Sequence, residues 1–166
     1  MARGMAVATA LAGCSGAHEH PAPSPCLVEL AGDTTEAATS VPNCASLAVS
    51  EDAGGAGGYV LGIDARTPRV ARLSIRVPLG PEPSPGSFSS DTIAGWSAVT
   101  ALAGDSNCTY AAGSDAVPKG SLTLTLTSVG TDGRALHGTV DATLYVHAPF
   151  ATDCGPSDVE RVVVAF

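Results

Sequence analysis

The sequence predicts an all-β fold, an antiparallel β-sandwich with a partly open β-barrel as the alternative. Three observations point there. Several segments alternate apolar and polar residues with a period of two, the signature of a half-buried strand. Glycine and proline are frequent, 19 and 12 residues in 166, and punctuate the chain at short intervals. Helical periodicity is hard to find beyond the amino terminus, so seven to nine short strands around one core account for the pattern best.

Taken in order, Glu29 to Thr39 fits either a short helix or a strand and loop. Tyr59-Val60-Leu61-Gly62-Ile63 follows the glycine cluster Gly54, Gly55, Gly57 and Gly58 and reads as a strand. From Arg69 to Leu79 the residues Leu73, Ile75, Val77 and Leu79 alternate with Arg72, Ser74, Arg76 and Pro78, which predicts one apolar and one solvated face. A proline-rich loop, Gly80 to Gly86, breaks the pattern. Ile93 to Leu102 and Cys108 to Ala112 are weaker strands on either side of Gly104-Asp105-Ser106-Asn107. Gly120 to His147 reads as a long hairpin. Leu122, Leu124 and Leu126 share one face, as do Leu136, Val140, Ala142, Leu144 and Val146, with a turn signal at Asp132-Gly133 between them. Val159 to Phe166 supplies a closing strand rich in β-branched residues.

The amino terminus has a different character. Arg3 precedes the apolar run Met5 to Leu11, which ends in Ala12-Gly13-Cys14. A basic start, about 7–15 apolar residues and small residues before a cut make a secretory signal. As a folded segment it would be a buried helix with Cys14 as a small core residue, but the run opens at residue 5 and leads into a loop-like stretch. Leu11-Ala12-Gly13-Cys14 resembles the lipobox of bacterial lipoproteins, in which the cysteine thiol is alkylated by a diacylglyceryl group before cleavage. The resemblance rests on residues 1–14. It implies a cell-envelope location with Cys14 as the lipid-bearing first residue of the mature chain. Ser15, in place of the aspartate that retains such proteins at the inner membrane, implies the outer membrane.

This divides the chain into a signal at 1–13, a lipidated cysteine and proline-rich tether at 14–25, and a single β-domain at 26–166. Residues 15–25 carry three prolines in their last five positions, and in polyproline-like geometry they would span up to about 34 Å. Removing 13 of 166 residues leaves 153, enough for a single core that buries roughly 70% of the unfolded surface. The net charge of −8 becomes −9 without Arg3. Such an acidic chain is unsuited to nucleic acid or to adhesion on anionic head groups, which need clustered Lys and Arg. Membrane attachment would therefore rest on the lipid at Cys14. With Cys14 set aside, Cys26, Cys44, Cys108 and Cys154 remain, an even number that in an exported protein implies two disulfides. Three connectivities exist; proximity alone favours Cys26 with Cys44 and Cys108 with Cys154. A four-thiolate metal site would need a C-x-x-C pair, which the spacing lacks.

No stretch stands out as catalytic. His18-Glu19-His20 has metal-ligand chemistry but reads first as part of a solvated tether. His137, Asp141 and His147 share a strand face, yet His137 and Asp141 would lie about 13 Å apart along it, too far to hold one ion. Gly95-Trp96-Ser97 echoes a nucleophile elbow, but Val99 stands where the second glycine belongs and no helix is expected to follow. Trp96 therefore reads as core or as a disulfide neighbour. Thr123, Thr125, Thr127, Thr139 and Thr143 form an outward face that a flat crystalline ligand could match, although threonine is an ordinary solvated strand residue. One Trp and three Tyr leave little for stacking on sugars. The expectation is a non-enzymatic envelope lipoprotein with no cofactor, acting as a structural or protein-interaction module. The alternative is binding of a small ligand or glycan by a sandwich edge or by the loops around Gly54–Gly58 and Gly80–Gly86. An enzyme comes third and would require His, Asp and Ser side chains converging in a cleft.

Overall fold

A computed structural model of the chain describes residues 24–50, 57–104, 108–116, 118–129, 136–147, 154 and 158–166. The signal, Cys14, the tether up to residue 23 with His18 and His20, Gly54 and Gly55, and the Asp132-Gly133 turn lie outside these; Ser24 and Pro25, expected as the end of the tether, belong to the first strand. Among the described residues the fold is all-β, with ten strands: β1 Ser24–Gly32, β2 Glu36–Ser50, β3 Gly58–Ala65, β4 Val70–Gly80, β5 Gly86–Ser89, β6 Ser97–Leu102, β7 Thr109–Gly113, β8 Ser121–Val129, β9 Leu136–Val146 and β10 Val159–Ala165.

The strands form one antiparallel sheet in the order β10-β1-β2-β3-β4-β6-β7-β9-β8-β5, with a further pairing between β10 and β9. That pairing links the carboxy-terminal strand to both ends of a circuit. β10 bonds β1 along one edge, with Leu30 opposite Val162, and β9 along the other, with Ala142 opposite Val162. One edge of β9 is shared between β8, over residues 136–143, and β7, which takes only Tyr145 and Val146. The expected hairpin is present in the register Leu122–Ala142, Leu124–Val140 and Thr125–Thr139.

A single cluster of buried side chains holds the wrapped sheet together. Every strand contributes to it: Val28 and Leu30 from β1, Val41 and Leu47 from β2, Leu61 and Ile63 from β3, Leu73, Ile75 and Val77 from β4, Ala98 from β6, Tyr110 from β7, Leu124 from β8, Val140 and Leu144 from β9, Val162 and Val164 from β10, and β5 through Phe88 at the margin. Full burial of each such aliphatic side chain contributes about 1.5–3 kcal/mol, and the period-two pattern directs whole rows of them inward. Arg72 and Arg76 point the other way from β4, as the alternation predicts. Both favoured disulfides are formed. Cys26–Cys44 joins β1 to β2 with the Cα atoms 5.6 Å apart, and Cys108–Cys154 joins the start of β7 to the segment before β10 with 5.2 Å between them.

Two local readings sharpen. The segment Glu29 to Thr39 is strand, turn and strand: β1 ends at Gly32, residues 33–35 turn, and β2 begins at Glu36. β2 bends where Asn43 takes φ 52°, a left-handed conformation that asparagine tolerates better than most residues. The strand β5 was not expected. It lies directly after the proline-rich loop and pairs with β8, Ser87 opposite Thr125 and Ser89 opposite Thr123.

Candidate functional site

The meander β1–β4 places two polar or concave features at opposite ends of the sheet. The β1–β2 turn and the β3–β4 turn share one end; the last residues of β2 and β4 share the other. At the latter end Gly58 and Gly80 meet backbone to backbone, since a Cβ on Gly58 would fall 2.7 Å from the Gly80 carbonyl carbon. Gly80 itself has φ +73°, the left-handed region that glycine enters without steric cost, and it turns the chain out of β4. Pro81, Pro83 and Pro85 follow. They fix φ and lack N–H donors, so this segment arches over the sheet end rather than adding a strand to it. The chain returns through β5, which supplies Phe88, and a tight turn in which the Thr92 N–H donates to the Ser89 carbonyl over 2.9 Å.

Between this arch, β5 and the turn lies an open cleft of about 680 Å³. Val60, Pro78, Leu79, Phe88, Ile93 and Leu126 make it mostly apolar, with Ser50, Arg76 and Glu82 among its polar lining. The volume is within the range of small-molecule sites, about 300–1,000 Å³. The Arg76 guanidinium is already held, donating to Asp64 Oδ2 over 2.7 Å and to the Ile75 carbonyl over 3.0 Å. Both members of the ion pair are well exposed, so it orients Arg76 more than it stabilises the fold. The cleft can accept an apolar body with a polar edge.

The opposite end holds a buried acidic cluster. Glu160, on the inward face of β10, is 0% exposed. Its Oε2 accepts the Thr34 N–H over 2.9 Å, while Oε1 has no hydrogen-bond partner among the described residues. Asp33 Oδ2 accepts the Val159 N–H over 3.1 Å. The Tyr110 hydroxyl lies 3.2 Å from the same Asp33 oxygen and 3.0 Å from the Cys154 carbonyl, two acceptors for its single proton. Burial pushes the Glu160 carboxyl up to about 7; the Thr34 N–H pulls it down, and the Asp33 charge raises it further. Burial, and after it the charge and hydrogen bond of Asp33, also raise the Tyr110 hydroxyl, which stays protonated throughout the physiological range.

The other residues singled out in the sequence are dispersed. His137 and His147 are both exposed and ten residues apart along β9, roughly 33 Å in an extended strand. Asp141, between them, takes a bidentate pair from Arg161 of β10, with Nε 2.9 Å from Oδ1. Trp96 is core, 1% exposed, and Ser97 opens β6 with no helix after it. Thr123, Thr127 and Thr139 are exposed, with Thr125 and Thr143 partly so. Asp33, Tyr110, Phe88 and Glu160 were not singled out. For Glu160 the signal was its place in the row Glu160, Val162, Val164. No family model matches the chain, and no curated protein or solved structure is detectably similar to it.

Proposed function

We propose that this chain is a lipid-anchored, non-enzymatic binding module of the cell envelope, whose β-domain takes a small, mostly apolar ligand in the cleft beneath the Gly80–Gly86 arch. The cleft is the observation that carries the reading: the proline-rich segment after Gly80, β5 and the turn after it border an apolar concavity of about 680 Å³ at the end of the sheet. This favours small-ligand binding over a purely structural role. The exposed, widely spaced His137 and His147 support a binding rather than a hydrolytic task. The lipobox resemblance at Leu11-Ala12-Gly13-Cys14 supports anchoring through a diacylglyceryl thioether, and Ser15 supports the outer membrane.

Two measurements test the two halves. Mass spectrometry of the protein recovered from envelope membranes should find Cys14 acylated at the amino terminus; an intact Met1 or an unmodified start would remove the anchor. For the cleft, a neutral naphthylamine probe should bind the protein with increased fluorescence. Ala94→Phe, which fills the cleft from an exposed position, and Val60→Asp, which puts a charge on its apolar wall, should each weaken binding at least tenfold. Arg66→Ala, at the other end of the sheet, should leave it unchanged. Equal binding by all four proteins would discard the cleft as the site.

A further inference from the structure

We propose that Asp33, Tyr110 and Glu160 form a proton-operated latch, which fastens the β1–β2 turn to β10 and to the Cys108–Cys154 disulfide when Glu160 is neutral and loosens it when Glu160 ionises. Geometry carries the inference. Four separate segments meet at these side chains: Thr34 reaches Glu160 from the turn, Asp33 reaches Val159 at the start of β10, and the Tyr110 hydroxyl of β7 lies between Asp33 and the carbonyl of Cys154, able to donate to either. Glu160 is wholly buried and keeps one oxygen without a partner among the described residues. A neutral acid tolerates that position far better than a carboxylate does. Among the described residues, the titratable groups acting on the cluster are all acidic: Asp33 from the turn, Tyr110 from β7, and Asp158 just before β10, which acts on Tyr110. The strand neighbours of Glu160 are Gly32 on β1 and Leu144 on β9, neither of which can neutralise a new negative charge.

The step is a single deprotonation: the Glu160 carboxyl releases its proton to solvent and leaves a carboxylate beside Asp33. The direction follows from where the proton is held. With the latch closed, Glu160 keeps its proton up to about pH 7; once the turn opens and water reaches it, the carboxyl returns toward 4.5. Between those values the closed state binds one proton more than the open state, so closure is complete in acid and weakens about tenfold per pH unit toward neutrality. Above about 7 both states are ionised and the loss levels off, at a total on the order of 100-fold. An envelope protein built this way would loosen the end of its domain away from the cleft as its surroundings become alkaline.

The test is carried out on the full chain. Carboxyl ¹³C NMR should show Glu160 titrating near neutrality, and Asp33→Asn, which keeps an acceptor oxygen but removes the charge, should lower that midpoint. Amide hydrogen exchange at Thr34 and Val159, corrected for the intrinsic effect of pH, should lose on the order of 100-fold protection between pH 5 and pH 9. Glu160→Gln should abolish that loss while leaving protection in β3 and β4 unaltered. A Glu160 midpoint near 4.5, or the same pH-dependent loss in Glu160→Gln, would overturn the proposal.

Discussion

Replacing Cys108 and Cys154 together by alanine is expected to lower the unfolding free energy by about 4 kcal/mol, against about 3 kcal/mol for the Cys26 and Cys44 pair. The difference comes from the unfolded chain. The first bridge closes a loop between residues 46 apart in sequence, and the second between residues 18 apart, so the first removes more chain entropy when the protein is denatured. Alanine is the right replacement because Cys26, Cys44 and Cys108 are all buried, and a serine hydroxyl there would add its own desolvation cost. The longer loop encloses β7, β8 and β9, and its end at residue 154 holds the carbonyl that faces Tyr110. Its loss should therefore also disorder the acidic end of the domain. Urea midpoints at pH 5, where Glu160 is neutral in the folded protein, provide the comparison. The reverse order of the two variants would show that native-state contacts of the Cys26–Cys44 bridge outweigh loop closure.

The sequence was easiest to read where one face of a strand carries charge and the other does not. In β4 the row Leu73, Ile75, Val77 is buried and Arg72 and Arg76 are exposed, so period and polarity agree. The β8–β9 hairpin was legible for the same reason, threonine marking the outer rows. In β10 the two rows are nearly equivalent: Glu160 leads one with Val162 and Val164, and Arg161 interrupts the other between Val159 and Val163. Alternation alone could not say which charge is buried. The three-dimensional pairing decides it, because Arg161 opposes Thr143 and lies next to Asp141, a carboxylate on the outer face of β9. The buried acid that follows is the feature on which the latch rests.

Two other elements escaped for different reasons. β5 is four residues, Gly-Ser-Phe-Ser, with one apolar side chain and proline just before it; a strand so short exists only because β8 offers it a partner. The cleft was unreadable because its lining comes from residue 50, residue 60, residues between 76 and 95, and residue 126, brought together by the pairing of β2 with β3, β3 with β4 and β5 with β8. Its proline-rich arch was visible as a loop, but a loop reveals nothing of the concavity beneath it. The Cys108–Cys154 bridge, by contrast, was favoured by proximity and is formed, while the pairing of β7 with β9 over only two residues is one that no local pattern announces.

Trp96→Ala should be the costliest single substitution in the core, at about 3–5 kcal/mol, because it empties the site of the largest fully buried side chain. Trp96→Phe should cost about 1 kcal/mol or less. The indole N–H is buried with no hydrogen-bond partner among the described residues, so removing it relieves a desolvation penalty of about 1–3 kcal/mol that offsets much of the lost volume. The two variants separate packing from polarity at one position. They also reach the cleft, since Ile93, Ala94 and Gly95 line it and immediately precede Trp96, whose carbonyl accepts the Ser114 N–H over 3.0 Å. Collapse around an alanine at 96 should draw that wall inward and weaken naphthylamine binding along with stability, whereas phenylalanine should preserve both. Urea midpoints followed by far-ultraviolet circular dichroism serve for both variants, because the substitution removes the chain's one tryptophan. A cost below about 1 kcal/mol for Trp96→Ala would mean that the indole is not packed as described, and the cleft wall would lose its support with it.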